Sequence, residues 1–136
     1  MSVWPQPLLV VADVPASSRW YQQLLGAASN HGGDEYDQLV VGEEIVLQLH
    51  TRDGDAAHGP LADPEVAVGN GVAVWFELAD LDAALGRAAG IGASIERPVH
   101  VNPLAHHREA WLRDPDGYRV VLAGESEFRP RPPRRP

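Results

Sequence analysis

Two residue pairs place polar and aromatic side chains at the spacing of a single strand face. Trp75 and Glu77 lie two apart in the apolar run GVAVWFEL (71–78), and Gln48 and His50 lie two apart in IVLQLH (45–50). Residues i and i+2 of a strand share a face. Trp75 then offers a stacking plane and Glu77 a negative charge on the same wall, while Gln48 and His50 offer polar anchors. An aromatic wall with a few polar groups suits small-molecule binding, and an indole face attracts cations. Trp111, in REAWLR (108–113), is a further aromatic whose phase is open: either Ala110 and Leu112 or Trp111 faces inward. Arg108 and Arg119 read either as anion anchors or as partners of nearby acids.

Other chemistries find less support. The chain has no cysteine, so disulfides, thiol nucleophiles and Cys-ligated metals are excluded. The six histidines are His31, His50, His58, His100, His106 and His107, with no His-x-His or Glu-x-x-His spacing among them. A shared metal would need convergence in the fold; otherwise they read as surface or hydrogen-bonding groups. If AHHRE is strand, His106 and His107 point to opposite faces. Ser17 and Ser18 read as helix-start residues, and Ser94 and Ser126 have no evident base. The GNG at 69–71 is too short for a phosphate loop and precedes a strand, not a helix.

These residues sit in a chain of 136, enough for one domain with a real core. It is 44% hydrophobic and 22% charged, which is ordinary for a globular protein. No apolar run reaches membrane-span length and no basic n-region opens the chain. With the absence of cysteine, this leads us to expect a cytoplasmic protein. The net charge is −8. Residues 129–136, RPRPPRRP, hold four Arg and no acid, so the body carries −12. Such a field disfavours nucleic acid and favours neutral or cationic partners. The Pro/Arg-rich tail, 125–136, reads as a solvated extension or a contact for an acidic neighbour.

The elements needed to hold the pairs come in a repeat. PLLVV (7–11) reads as a strand that Asp13 and Pro15 break, and Ser17 or Ser18 starts a helix. Trp20, Tyr21, Leu24 and Leu25 share a face of that helix, and Gly26 ends it. Strands follow at 28–31, 36–41 and 45–50. The second half repeats the order: strand 71–78, helix 80–90, and strands 93–101, 108–113 and 118–123. Asp13 and Asp80, each in an Ala-Asp pair, are 67 residues apart. Two βαβββ modules, about 6–50 and 71–124 with a linker at 51–70, would pair because neither covers its own apolar face. Of the remaining tryptophans, Trp20 belongs in the core and Trp4 would pack across a dimer.

Three stretches resemble the vicinal-oxygen-chelate, or glyoxalase/bleomycin-resistance/dioxygenase, superfamily: LLVVADVPASSRWYQQLLG, VAVWFELADLDAALGRAAGIGA and REAWLRDPDGYRVVLA. The resemblance implies an α+β fold of two βαβββ modules, forming an open, curled mixed sheet with a central cavity, in a homodimer. It also implies metal ligands at four strand positions, which fall here on Gln6, Gln48, Ala73 and Val121. A divalent metal wants imidazole or carboxylate, and Ala and Val offer neither. On the implied ligand face stand Gln6, Leu8 and Val10; Val46, Gln48 and His50; Ala73, Trp75 and Glu77; and Arg119, Val121 and Ala123.

The resulting expectation is a binding protein without metal or other cofactor, sequestering a small aromatic or cationic compound such as an antibiotic. Its ligand-binding residues would be Gln6, Gln48, His50, Trp75, Glu77, Arg108, Trp111 and Arg119. The competing expectations are a lyase, isomerase or dioxygenase-like enzyme using Gln6, Gln48, Glu77 and His50, and a protein-interaction module with the tail as handle.

Overall fold

The computed structural model describes residues 4–52, 62–104 and 106–126. His58 and residues 127–136, most of the expected tail, lie outside them. The first module runs β1 (Leu8–Val11), α1 (Val14–Leu25), β2 (Ala28–Ser29), β3 (Tyr36–Val41) and β4 (Glu44–Thr51). The second runs β5 (Ala73–Glu77), α2 (Leu81–Gly90), β6 (Ser94–Val101), β7 (Arg108–Arg113) and β8 (Arg119–Ala123). Each module folds into a four-stranded mixed sheet, in the orders β1-β4-β3-β2 and β5-β8-β7-β6. In each, the first and last strands pair in parallel and the others antiparallel. A parallel pair requires a crossover, and α1 and α2 lie within those crossovers. The α+β fold of two βαβββ modules is therefore present as expected.

Helix α1 begins earlier than the sequence suggests. Asp13 is its N-cap, accepting from the Ala16 amide at 2.9 Å, and Pro15 sits in the first turn. Proline is tolerated there because first-turn amides lack helical partners. Ser17 and Ser18 are consequently interior and buried, and their hydroxyls bond outward to Asp116 and Asp37. Gly26 ends the helix in the left-handed region, φ 67°. Helix α2 repeats the device: Asp80 caps it through the Ala83 amide at 3.0 Å.

Alternation sorts the strands as expected. Leu9, Val11, Leu47, Leu49, Val74, Val120 and Leu122 are buried in one apolar cluster with Tyr21 and Leu24 of α1 and Leu81, Ala84 and Ala88 of α2. That cluster is continuous through both modules: each helix packs on its own sheet, and the two helices pack on each other. Trp20 packs against its margin. The opposite sheet face, free of helices, carries the mixed polar and aromatic set.

The modules are clasped by the turn Asp114-Pro115-Asp116-Gly117. Asp114 is buried; one carboxylate oxygen accepts from the Asp116 and Tyr118 amides, both at 2.9 Å, and the other accepts from the Tyr21 hydroxyl at 2.7 Å. Asp116 accepts from the Ala12 amide at 2.9 Å and from Ser17 Oγ at 3.2 Å. The Tyr118 hydroxyl donates to the Val10 carbonyl at 2.9 Å. Gly69 closes on the same turn so tightly, at φ +87°, that a Cβ would lie 2.5 Å from the Asp116 carbonyl oxygen. Burial pushes the Asp114 carboxyl above its ordinary range against the pull of its hydrogen bonds, and burial beside Asp114 pushes the Tyr21 phenol up as well.

A second buried carboxylate, Asp37, ties α1 to β3 and the β2–β3 turn. It accepts from Ser18 Oγ, Ser29 Oγ and the Gly32 and Gln38 amides. Burial alone would raise its pKa, but these donors together hold it below the ordinary value.

Tyr21→Phe should leave one buried Asp114 oxygen without a donor and cost about 1–3 kcal/mol in urea unfolding; an unchanged midpoint would show that the clasp does not hold the modules. Asp37 fixes the sign of an acid effect. A carboxyl depressed on folding stabilises above its unfolded pKa of about 3.9 and loses that contribution as pH falls through the folded value. Asp37→Asn should therefore lower stability at pH 7 by about 1–3 kcal/mol and shrink the loss on acidification below about pH 4. The check is a melting curve at each pH, with equal acid slopes as the contrary result.

Candidate functional site

The helix-free faces of the two sheets carry different chemistry. On the first, a relay of amides and a phenol crosses the strands. Asn30 Nδ2 donates to Gln38 Oε1 at 3.0 Å, and Gln38 Nε2 donates to the Tyr36 hydroxyl at 2.9 Å. Tyr36 donates to Gln48 Oε1, and Gln48 Nε2 donates to the Gln6 carbonyl at 3.0 Å. Both ends of the Gln48 amide are thus engaged within the protein. His50 stands opposite Tyr36 in the β3–β4 register; its ring is buried, 6.0 Å from that of Tyr36, and its Nδ1 lies 3.0 Å from the Thr51 carbonyl. Gln6 lies just before β1 and is exposed.

On the second sheet, the small side chains of the central strand β8 form a floor. Val121 and Ala123 are buried although they face away from the helices. β5 and β7 flank β8, and the rings of Trp75 (β5) and His107 (just before β7) come within 5.8 Å of each other across it. Trp75 remains 49% exposed. Glu77 accepts from the Ser126 amide at 3.1 Å.

Beneath this wall Glu109 is only 1% exposed. His107 Nε2 donates to its Oε2 at 2.8 Å, Trp111 Nε1 donates to its Oε1 at 3.0 Å, and Asn102 Nδ2 approaches both oxygens at 3.3–3.4 Å. His100 Nε2 lies 3.4 Å from Oε1. Burial opposes charge on Glu109, but the His107, Trp111 and Asn102 donors prevail and hold its carboxyl below the ordinary range. His100 comes from β6, Glu109 and Trp111 from β7, and Asn102 and His107 from the connection between them. That connection is shaped by Asn102: its Oδ1 accepts from the Leu104 amide and its main chain bonds to His106 and His107. His106 adopts a left-handed φ of 58°, rare for a side-chain-bearing residue; its neighbour His107 is thereby directed to the helix-free face and buried.

The phase of β7 is now decided. Glu109, Trp111 and Arg113 share the helix-free face, while Ala110 and Leu112 face the helices. Arg119 lies on the same face, its guanidinium 4.5 Å from the Trp111 ring centroid, and pairs with Glu96 at 2.6 Å; Arg113 also pairs with Glu96. The Arg119 hydrogen bond above all, with Arg113, holds the Glu96 carboxyl below its ordinary range. Arg97 stands 5.1 Å over the same indole. Arg108 is separated from these residues: it lies on the helix side of β7 and pairs with Asp82 of α2.

The structure thus brings Trp75, Trp111 and Arg119 onto one sheet with Glu77, and puts Gln48 and His50 on the other. Sequence reasoning missed His107, Glu109, His100 and Asn102, and the Tyr36–Gln38 relay. A signal for Glu109 existed. Strands β1, β4, β5 and β8 each turn a wholly apolar set to the helices, and Ala110 with Leu112 is the apolar set of β7. That choice would have put His107, Glu109 and Trp111 together on the helix-free face.

The four positions that could hold a family-type metal do not suit one. Ala73 and Val121 carry no donor, Val121 lies buried in the floor, and the Gln48 amide is engaged at both ends. Among the described residues, no three His, Asp or Glu side chains are arranged to hold a metal ion. No helix among them is long and apolar enough to cross a membrane.

The fold and this divided face can be set against known proteins. No curated protein matches the sequence significantly. An integron cassette protein from the mobile metagenome of V. cholerae superposes with a TM-score of 0.71 at 22% identity, covering 93% of this chain and 97% of that one. A glyoxalase-related enzyme from Fulvimarina pelagi gives 0.71 at 16% identity, over 92% and 89%. A glyoxalase/bleomycin resistance protein/dioxygenase family enzyme from Burkholderia phytofirmans PsJN gives 0.71 at 18%, over 88% and 95%. These likenesses concern the fold. The sequence itself matches the family model over residues 5–122, from the segment before β1 into β8. The chain belongs to the glyoxalase/bleomycin resistance protein/dioxygenase superfamily.

Proposed function

We propose that this chain is a metal-free, small-molecule-binding member of the superfamily, taking a flat aromatic compound, neutral or cationic, against Trp75. One observation carries the reading: a half-exposed indole stands over a floor of small buried side chains on the helix-free face. Stacking there is worth about 0.5–1.5 kcal/mol beyond area burial. Glu77 on the same strand face and the body charge of −12 favour a cation over a phosphate or other anion. Sequestration of an antibiotic of this shape, in the cytoplasm, would suit such a surface. The donor-poor metal positions argue against the metal-assisted chemistry of the family's enzymes.

The reading includes a C₂ homodimer. Trp4, 64% exposed, and Val99, Val101 and Leu104 leave apolar surface that a second copy would cover. Sedimentation should return a dimer at micromolar concentration.

Three measurements bear on the proposal. Flat heteroaromatic amines should quench tryptophan fluorescence and raise the melting temperature by mass action. Trp75→Ala should weaken them about tenfold, and Glu77→Gln should weaken only the cationic ones, more so at low salt. A screen returning only anions, or hits indifferent to Trp75→Ala, would remove the proposed wall. Elemental analysis should find well under one zinc or nickel per chain; a stoichiometric metal lost on mutation of Gln6 or Gln48 would restore the enzyme reading.

A further inference from the structure

The helix-free face of the second sheet contains a buried ring nitrogen with no hydrogen-bond partner among the described residues. His107 Nε2 lies 2.8 Å from a Glu109 oxygen. An ionised carboxylate only accepts, so Nε2 carries a proton, and in the neutral tautomer this selects, Nδ1 keeps its lone pair. Nδ1 is shielded from water, and among the described residues it has no hydrogen-bond partner. Buried polar atoms are rarely left so, because an unmade hydrogen bond is costly. The ring itself is held firmly: Glu109 is gripped by Trp111 and Asn102 as well, and the left-handed His106 precedes it.

The neighbour of this imidazole is Trp75, the side chain already proposed as a stacking wall. Trp75 is about half exposed, so a ligand stacked on it lies beside the His107 ring. The acceptor is already dehydrated, so a ligand donor gains the bond without first stripping water from it.

We propose that His107 Nδ1 selects planar ligands bearing an N–H or O–H donor, with Glu109 as the positioning residue that keeps it an acceptor. The proposal rests on the stacking wall at Trp75 but goes beyond it, because stacking alone does not distinguish a donor from an acceptor on the ligand. Glu109 works through the imidazole and does not touch the ligand.

Indole and benzofuran test this. They have the same bicyclic shape and differ in an N–H donor against a ring oxygen. Titration calorimetry on the full chain should give indole an advantage of roughly three- to tenfold, the effect of one hydrogen bond. Glu109→Gln should cancel or reverse it. Trp111 Nε1 holds the Gln oxygen, leaving the amide NH₂ to donate to His107 Nε2 and moving the ring proton to Nδ1. Long-range ¹⁵N spectra of His107 read that tautomer change directly, which a merely structural role for Glu109 would not produce. Should Glu109→Gln fail to fold, His107→Phe keeps a ring and removes the acceptor; indole should then lose its advantage while benzofuran is unchanged.

Equal affinities in the unmodified protein, both lost in Trp75→Ala, would overturn the acceptor and leave the stacking wall standing. A proton on Nδ1 in the unmodified protein would also overturn it. Failure of both probes to bind at millimolar concentration would remove the wall and the acceptor together.

Discussion

The bond between the Tyr21 hydroxyl and the Asp114 carboxylate holds the two halves in one arrangement. A buried carboxylate is costly unless its lone pairs are met, and Asp114 meets them with two amides of its own turn and one phenol from the other module. The third donor comes only if α1 lies against the β7–β8 turn. Asp116 and Tyr118 extend the same contact to Ala12, Ser17 and Val10, so the turn grips the junction of β1 and α1. The hairpin that this turn closes carries Glu109, Trp111, Arg119 and Val121. Fixing its end therefore fixes the wall on which the proposed site is built.

The duplicated modules share a backbone plan and divide the chemistry. Toward the helices both sheets are mainly apolar, Asp37 of β3 excepted, and one continuous cluster fills the space. Away from the helices the first sheet spends its polar groups on one another: the Asn30–Gln38–Tyr36–Gln48 relay ends on a main-chain carbonyl. The second sheet gathers its donors around Glu109 and leaves an indole exposed above small residues. The four positions that the family resemblance assigns to a metal are spread over both halves, and here the two in the second sheet carry alanine and valine. The repeat thus preserves the fold while the helix-free faces have diverged.

Charge on the second sheet is largely balanced within the protein. Glu96 takes both Arg113 and Arg119, and Arg119 and Arg97 lie over Trp111. These pairs are partly exposed and contribute little stability individually. Their effect is positional: two guanidiniums lie over the Trp111 ring, whereas Trp75 on the same sheet stays half exposed.

Much of the architecture was legible in the sequence, because hydrophobic alternation and the repeated Ala-Asp pair are local signals. The βαβββ order, the helix stop at Gly26 and the apolar sides of most strands followed from residue type and spacing alone; only the family resemblance marked Ala73 and Val121 as positions without a metal donor. The start of α1 did not, since Asp13 and Pro15 serve equally to break a strand or to open a helix, and only the Ala16 amide bond decides. Arg108 and Arg119 looked alike as cations; the fold put one beside Asp82 on α2 and the other over Trp111. The Glu109 cluster was the least visible. His100, Asn102, His107 and Glu109 become neighbours only when β6 and β7 pair around their connecting turn, and Trp75 reaches His107 only because the distant strand β8 enters between β5 and β7. Sequence determined which faces are apolar, because that depends on period. Tertiary structure decided which polar groups meet, because strand order and turn geometry bring together residues that no local spacing relates.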